Sequence, residues 1–195
     1  MFRQGEFNIP LHIHNPLSIK IGKDCYIAPS AVIIGEVTIG DRVMICDHAV
    51  LRGDVNSISV GNGTNIQDSV TIHAESNSPV IIGSGVSIGH NAVVHGCTIH
   101  DSVLIGMGSV VMTGSIIGSG SVVAAGSLVK ENFISDEDCL ILGRPGECVK
   151  RDRKYRVMAE LNSMAYDRLR SNYLQGKYSR VTGASILGKE EESRP

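Results

Sequence analysis

The sequence contains no tryptophan, and aromatic residues make up only 4% of its 195 positions. Compact cores usually draw much of their buried area from aromatic side chains, so here small aliphatic residues must fill the interior. No apolar run approaches the roughly 18 residues that a membrane-crossing helix needs. The opening "MFRQGEFNIP" lacks the apolar centre of a secretory signal, so no membrane association and a cytoplasmic location are expected. Neither sign of charge dominates, with 18 basic against 20 acidic side chains and a net charge of −2. Without a basic tract, nucleic acid is not an expected partner. The five cysteines, Cys25, Cys46, Cys97, Cys139 and Cys148, are odd in number and form no CxxC pair. They are expected to be unpaired thiols packed as small hydrophobes in a reducing compartment.

What the chain does contain is a period. An aliphatic residue recurs every six positions at Ile21, Ile27, Ile33, Ile39, Ile45 and Leu51. The series resumes after a three-residue insertion at Val60, Ile66 and Ile72, and after four extra residues at Ile82, Ile88 and Val94. One deletion later it runs through Ile99, Ile105, Val111, Ile117, Val123 and Val129, giving eighteen hexads. Six is too long for strand alternation and does not match the 3.6-residue helical period. It suits a short strand plus a tight turn, repeated. Over residues 19–134 this pattern resembles the hexapeptide-repeat proteins. The resemblance implies a mainly β fold, a left-handed parallel β-helix in which three hexads make each triangular coil, with about six coils. Residues 1–18 read as an irregular segment. Residues 135–149 break the repeat and read as a connection. From about 150 to 175 apolar residues fall at spacings of three and four (Val157, Met158, Leu161, Met164, Ala165, Leu169, Tyr173), which predicts a helix long enough to lie along the prism. The remaining tail has no clear period and is expected to be mobile.

Three hexads per coil place every third hexad on one face, here named a, b and c from Ile21. On face c the residues following Leu51, Ile72 and Val94 are Arg52, His73 and His95. They stack in consecutive coils about 4.8 Å apart, and alternation turns them outward. Face b carries Asp47, Asp68 and His90 at its third positions, near a corner. His90 is therefore poorly placed to share a metal with His73 and His95 of its own chain. A neighbouring chain could supply it, and a repeated interface of that kind closes most naturally as a threefold ring, so a homotrimer with intersubunit sites is predicted. Three neutral imidazoles leave a fourth position open on zinc, the pattern of catalytic sites, where bound water's pKa falls toward about 7.

The stretch "LRGDVNSISVGNGTNIQDSVTIHAE" followed by "IGHNAVVHGC" resembles the γ-class carbonic anhydrases over roughly residues 50–97. The resemblance implies reversible hydration of CO2 to bicarbonate, with His73, His90 and His95 as ligands of Zn2+, or of Fe2+ or Co2+ as in some members. Gln67 and Asn65 match residues that orient water and CO2, and Arg52, Asp54 and Asp68 match a charged interface network. The prototype's long acidic loop with its proton shuttle is replaced here by "AESNSPV", where Glu75 is the available substitute. Tyr166, on the expected helix, is a further candidate able to reach a site from outside. His12, His14, His48 and His100 read as structural or solvated. Arg52-Gly53-Asp54, an adhesion tripeptide by letter, is better explained by its place in a coil. Two other classes fit the same repeat. One is an acyl-CoA thioesterase or acyltransferase, working with one histidine base. The other is a non-catalytic metal-binding trimeric scaffold.

Overall fold

The computed structural model describes residues 19–181. The N-terminal segment with His12 and His14, and the tail beyond residue 181, lie outside the described residues.

The hexads wind into a solenoid of short parallel strands. Face b is a column built from Tyr26–Ile27, Met44–Ile45, Asn65–Ile66, Ser87–Ile88, Leu104–Ile105, Val122–Val123 and Cys139–Gly143. Faces a and c belong to one continuous sheet, because the strands Val32–Ile39 and Val50–Val60 bend around the corner between them. The leading aliphatics Leu51, Ile72 and Val94 are fully buried, as are Ile45, Ile66, Ile88 and Ile105 on face b. Each buried aliphatic of this size contributes about 1.5–3 kcal/mol, so the column of Ile, Leu and Val side chains replaces the missing aromatic core. Tight turns between faces take left-handed backbone at Ser69 (φ 60°), Asn91 (φ 59°) and His48 (φ 60°). Short polar side chains, Asn above all, tolerate that conformation best.

Residues 135–149 are more than a connection. Cys139–Gly143 pairs in parallel with Val122–Val123 and extends face b by a further coil, to about seven turns. Gly146–Arg151 then turns back antiparallel on it. The hexad count stops short because Ser135 stands where the next aliphatic would, although Ile141, one interval further, is fully buried and pairs with Val123. The hairpin also joins Cys139 to Cys148 in a disulfide, with Cα atoms 5.6 Å apart. The expectation of five free thiols is thus corrected: Cys25, Cys46 and Cys97 are the free ones among the described residues, and the odd cysteine count loses its force as a sign of a reducing compartment. Closing a loop of this length stabilises by roughly 2–3 kcal/mol. Cys148→Ser is expected to lower Tm by about 5–10 °C, measured by thermal unfolding, and reductant should bring the unaltered protein down to the same value. Equal melting of the two proteins under oxidising conditions would mean the bond does not form.

The helix spans Lys154–Leu174, starting four residues later than its apolar spacing suggests because the hairpin occupies the preceding residues. It lies along face b. Its buried residues are Tyr155, Ala159 and Arg170, a different stripe from the expected one. Val157, Met158, Leu161 and Met164 are exposed. Small Ala159 allows close approach to a flat wall, and buried Arg170 is satisfied by the Asp24 carbonyl at 2.6 Å and by Asp167. No helix among the described residues is long and apolar enough to cross a membrane.

Candidate metal centre

Parallel pairing puts Arg52, His73 and His95 in exact lateral register, Arg52 opposite His73 and His73 opposite His95. His73 Nδ1 lies 3.1 Å from His95 Nε2. The outer nitrogen of each ring meets an oxygen: His73 Nε2 is 3.2 Å from Asp54 Oδ1, and His95 Nδ1 is 2.9 Å from Thr113 Oγ1. Arg52 in turn holds Asp54 through Nη1 at 2.7 Å. Burial opposes ionisation of Asp54, but the hydrogen bond and charge of Arg52 outweigh it and keep the carboxyl below its ordinary range. Burial, followed by the Arg52 guanidinium, pushes the His73 pKa down against the pull of Asp54, which favours neutral imidazole at pH 7.

Hydrogen accounting assigns the tautomers. Asp54 is an acceptor only, so neutral His73 carries its proton on Nε2 and Nδ1 is a bare lone pair. Thr113 spends its one hydroxyl proton on Glu75 Oε2, 2.9 Å away. It therefore accepts from His95 Nδ1–H, and His95 Nε2 is also bare. The two remaining ring nitrogens then face each other across 3.1 Å, an arrangement that a shared proton or a metal ion held by both would relieve. A tetrahedral zinc with bonds of about 2.0–2.1 Å holds its ligand nitrogens roughly 3.3 Å apart. The pair fits that ion.

The second group gathers at the edge of face b. His90 Nδ1 is 2.9 Å from Asp68 Oδ2, which again puts the proton on the outer nitrogen. The bare Nε2 accepts from the Tyr166 hydroxyl at 3.4 Å. Gln67 is buried beneath: its Oε1 accepts the His90 backbone N–H at 3.2 Å, and its Nε2 donates to Asn65 Oδ1 at 3.1 Å. Asn65 Nδ2 donates to Ser87 Oγ at 2.7 Å. Each of these two amide nitrogens has a second N–H beyond these bonds. A cavity of about 140 Å3 opens beside His90 between face b and the helix, lined by Met44, Cys46, Asp68, Tyr166 and Leu169 among others.

The candidate residues thus fall into two groups. Arg52, Asp54, Glu75, His73 and His95 meet on face c, whereas Asn65, Gln67, Asp68, His90 and Tyr166 meet on face b. Within one chain, the described residues form no cluster of three or more His, Cys, Asp or Glu that could hold a metal ion. His48 and His100 stay outside both groups, His48 in a turn and His100 with its backbone N–H bonded to Ile117. Thr113 was missed in the sequence, where it is one of many turn residues after a hexad. Its signal was its place as the third residue of the hexad that begins at Val111, directly above that of His95.

The sequence matches the family described as Bacterial transferase hexapeptide (six repeats) over residues 18–53 and 96–131. It is 48% identical over 150 residues to a probable carbonic anhydrase of Methanocaldococcus jannaschii, covering 76% of this chain and 94% of that protein. The chain belongs to the γ-class carbonic anhydrase family of left-handed β-helix proteins. A second member, γ carbonic anhydrase 2, mitochondrial, of Arabidopsis thaliana, is 48% identical over 123 residues. That match covers 56% of this chain and 44% of the plant protein, so the chain spans less than half of that relative's length. Among solved structures, a hexapeptide transferase family protein from Anaplasma phagocytophilum superposes with a TM-score of 0.69 at 32% identity, covering 80% of this chain and 98% of that one.

Proposed function

We propose that this γ-family chain is a metalloenzyme hydrating CO2 reversibly to bicarbonate. In this reading it is a homotrimer whose sites form where face c of one subunit meets the His90 corner of the next. The observation that carries the reading is the close approach of His73 Nδ1 and His95 Nε2, 3.1 Å apart on face c, each ring held from its far side by an oxygen, with His90 at the other edge of the same chain. His73 and His95 would hold the ion from one side and His90 from the other. Zinc, iron or cobalt, when bound there, supplies a Lewis acid that lowers the pKa of water toward about 7.

The chain's own residues supply the rest. Asp54, Thr113 and Asp68 orient the three rings, since each accepts a hydrogen bond from the ring N–H opposite the nitrogen that would face the ion. Gln67 and Asn65, tied to each other and to the His90 backbone, present their spare N–H groups as donors to an oxygen carrying developing negative charge. The Tyr166 hydroxyl stands at the ligating nitrogen of His90 and would remain beside the site after turning away from it. The Arg52–Asp54 pair, part-exposed on face c, would meet the neighbouring subunit and help fix its register.

Acyl transfer by a single histidine base is the weaker reading, because one base gives no reason for two imidazole nitrogens to approach within 3.1 Å of each other. A thiol nucleophile is not favoured either: burial pushes Cys46 and Cys97 up to about 12, far from a reactive thiolate. The test is metal content of anaerobically purified protein by mass spectrometry, together with stopped-flow CO2 hydration. About one ion per chain with measurable hydration is expected. Absence of stoichiometric metal after loading with zinc, iron and cobalt would sink the reading. Full metal without hydration would leave the scaffold alternative.

A further inference from the structure

We propose that Thr113 and Glu75 are positioning residues for His95, fixing its tautomer and its ring through a His95–Thr113–Glu75 hydrogen-bonded chain. The inference rests on the metal reading above for its purpose, but not for its geometry. His95 Nδ1 lies 2.9 Å from Thr113 Oγ1, which lies 2.9 Å from Glu75 Oε2. A threonine hydroxyl has one proton. Spent on a carboxylate, it can only accept from the imidazole, so the direction of both bonds is determined.

The carboxylate is placed by a rigid turn. Glu75 and Ser78 exchange two backbone hydrogen bonds at 3.0 and 2.9 Å. Asn56, one coil below, donates through Nδ2 to the carbonyls of Glu75 and Ser76, both at 3.1 Å. From the other side the turn packs on Gly96, which has φ +49° and whose missing Cβ would meet Ser78 Cβ at 3.1 Å and Thr113 Cγ2 at 3.2 Å. Three successive coils therefore hold Glu75, Thr113 and the residue after His95 as one wedge. "AESNSPV" stands where the sequence suggested a shortened proton-shuttle loop, and its carboxylate faces a hydroxyl that orients a ligand. In the mechanism proposed above, Glu75 acts through Thr113 and touches no reacting atom.

Two readouts test this. The first is the ring 15N chemical shifts of metal-free protein, which report the His95 tautomer whether or not any metal binds. His95 is expected as the Nδ1–H form in the unaltered protein and in Thr113→Ser, and as a mixture in Thr113→Val, which keeps the shape but removes the acceptor. The second is zinc affinity by competition with a chromophoric chelator. Thr113→Val should weaken it about 10–100-fold, the usual cost of losing an outer partner. Thr113→Ser, which keeps the hydroxyl, should stay within about threefold, whereas Glu75→Gln, whose amide can donate to Thr113 Oγ1 and free its proton, should move the His95 tautomer toward the mixture. An Nε2–H tautomer in the unaltered protein, or a Thr113→Val protein unchanged in both readouts, would overturn the inference. If the expected tautomers are found in a protein that takes up no zinc, the metal reading fails and the orienting chain stands.

Discussion

Mixing two inactive variants should restore activity. His90→Ala and His95→Ala are each expected to bind no metal and to hydrate no CO2 above background, because each removes one nitrogen from every site. Co-refolded or co-expressed at equal amounts, they should regain about one quarter of the unaltered metal content and hydration rate per site. The arithmetic follows from a cyclic trimer with sites between subunits. A site is intact only where a His90→Ala subunit, which keeps His73 and His95, adjoins a His95→Ala subunit, which keeps His90. Random assembly produces that ordered pair about one time in four. The structure motivates the experiment directly. His95 stands over His73 on face c, while His90 turns to Asp68 and Tyr166 beside face b, and one chain brings no three candidate ligands together among its described residues. Zero recovery in verified mixed trimers would show that the ligands are not shared in this way.

The second large effect concerns His73. His73→Ala should lower kcat/KM for CO2 hydration by three orders of magnitude or more. A Lewis acid contributes several kcal/mol at the transition state, and each 1.36 kcal/mol is tenfold in rate. Metal content should fall in parallel, while the circular dichroism spectrum and Tm stay close to those of the unaltered protein. His73 projects outward from a strand whose buried neighbour Ile72 holds the coil, so the substitution opens no cavity in the core. A variant that keeps its metal and most of its activity would remove His73 from the ligand set.

The hexad rhythm made the solenoid legible before any coordinate, because a six-residue period has few structural solutions. Register followed from it. Three hexads per coil put Arg52, His73 and His95 in one column, and strand pairing places them so. The same counting separated His90 from His95 although they are only five positions apart. Elements outside the rhythm were harder to read. Residues 135–149 read as a connection in the sequence, whereas Cys139–Gly143 is a strand of face b and Cys148 returns on it to close a disulfide. Ile141 keeps the six-residue interval and pairs with Val123, but Ser135 interrupts the series before it, and no period marks the antiparallel return. On the helix, apolar spacing singled out Val157, Met158, Leu161 and Met164, yet the buried stripe is Tyr155, Ala159 and Arg170. Close approach to a flat sheet favours small size at the contact over hydrophobicity, and a guanidinium can be buried there when a carbonyl and a carboxylate receive it.

By itself, the sequence determined the coil period, the membership of each face and the column in which two histidines stack, since all three depend only on counting along a regular chain. Tertiary structure decided the contacts between coils. Thr113 reaches His95 and Glu75 across insertions and turns whose paths no period encodes. The orientation of each imidazole on face c depends on which oxygen lies at the far side of the ring.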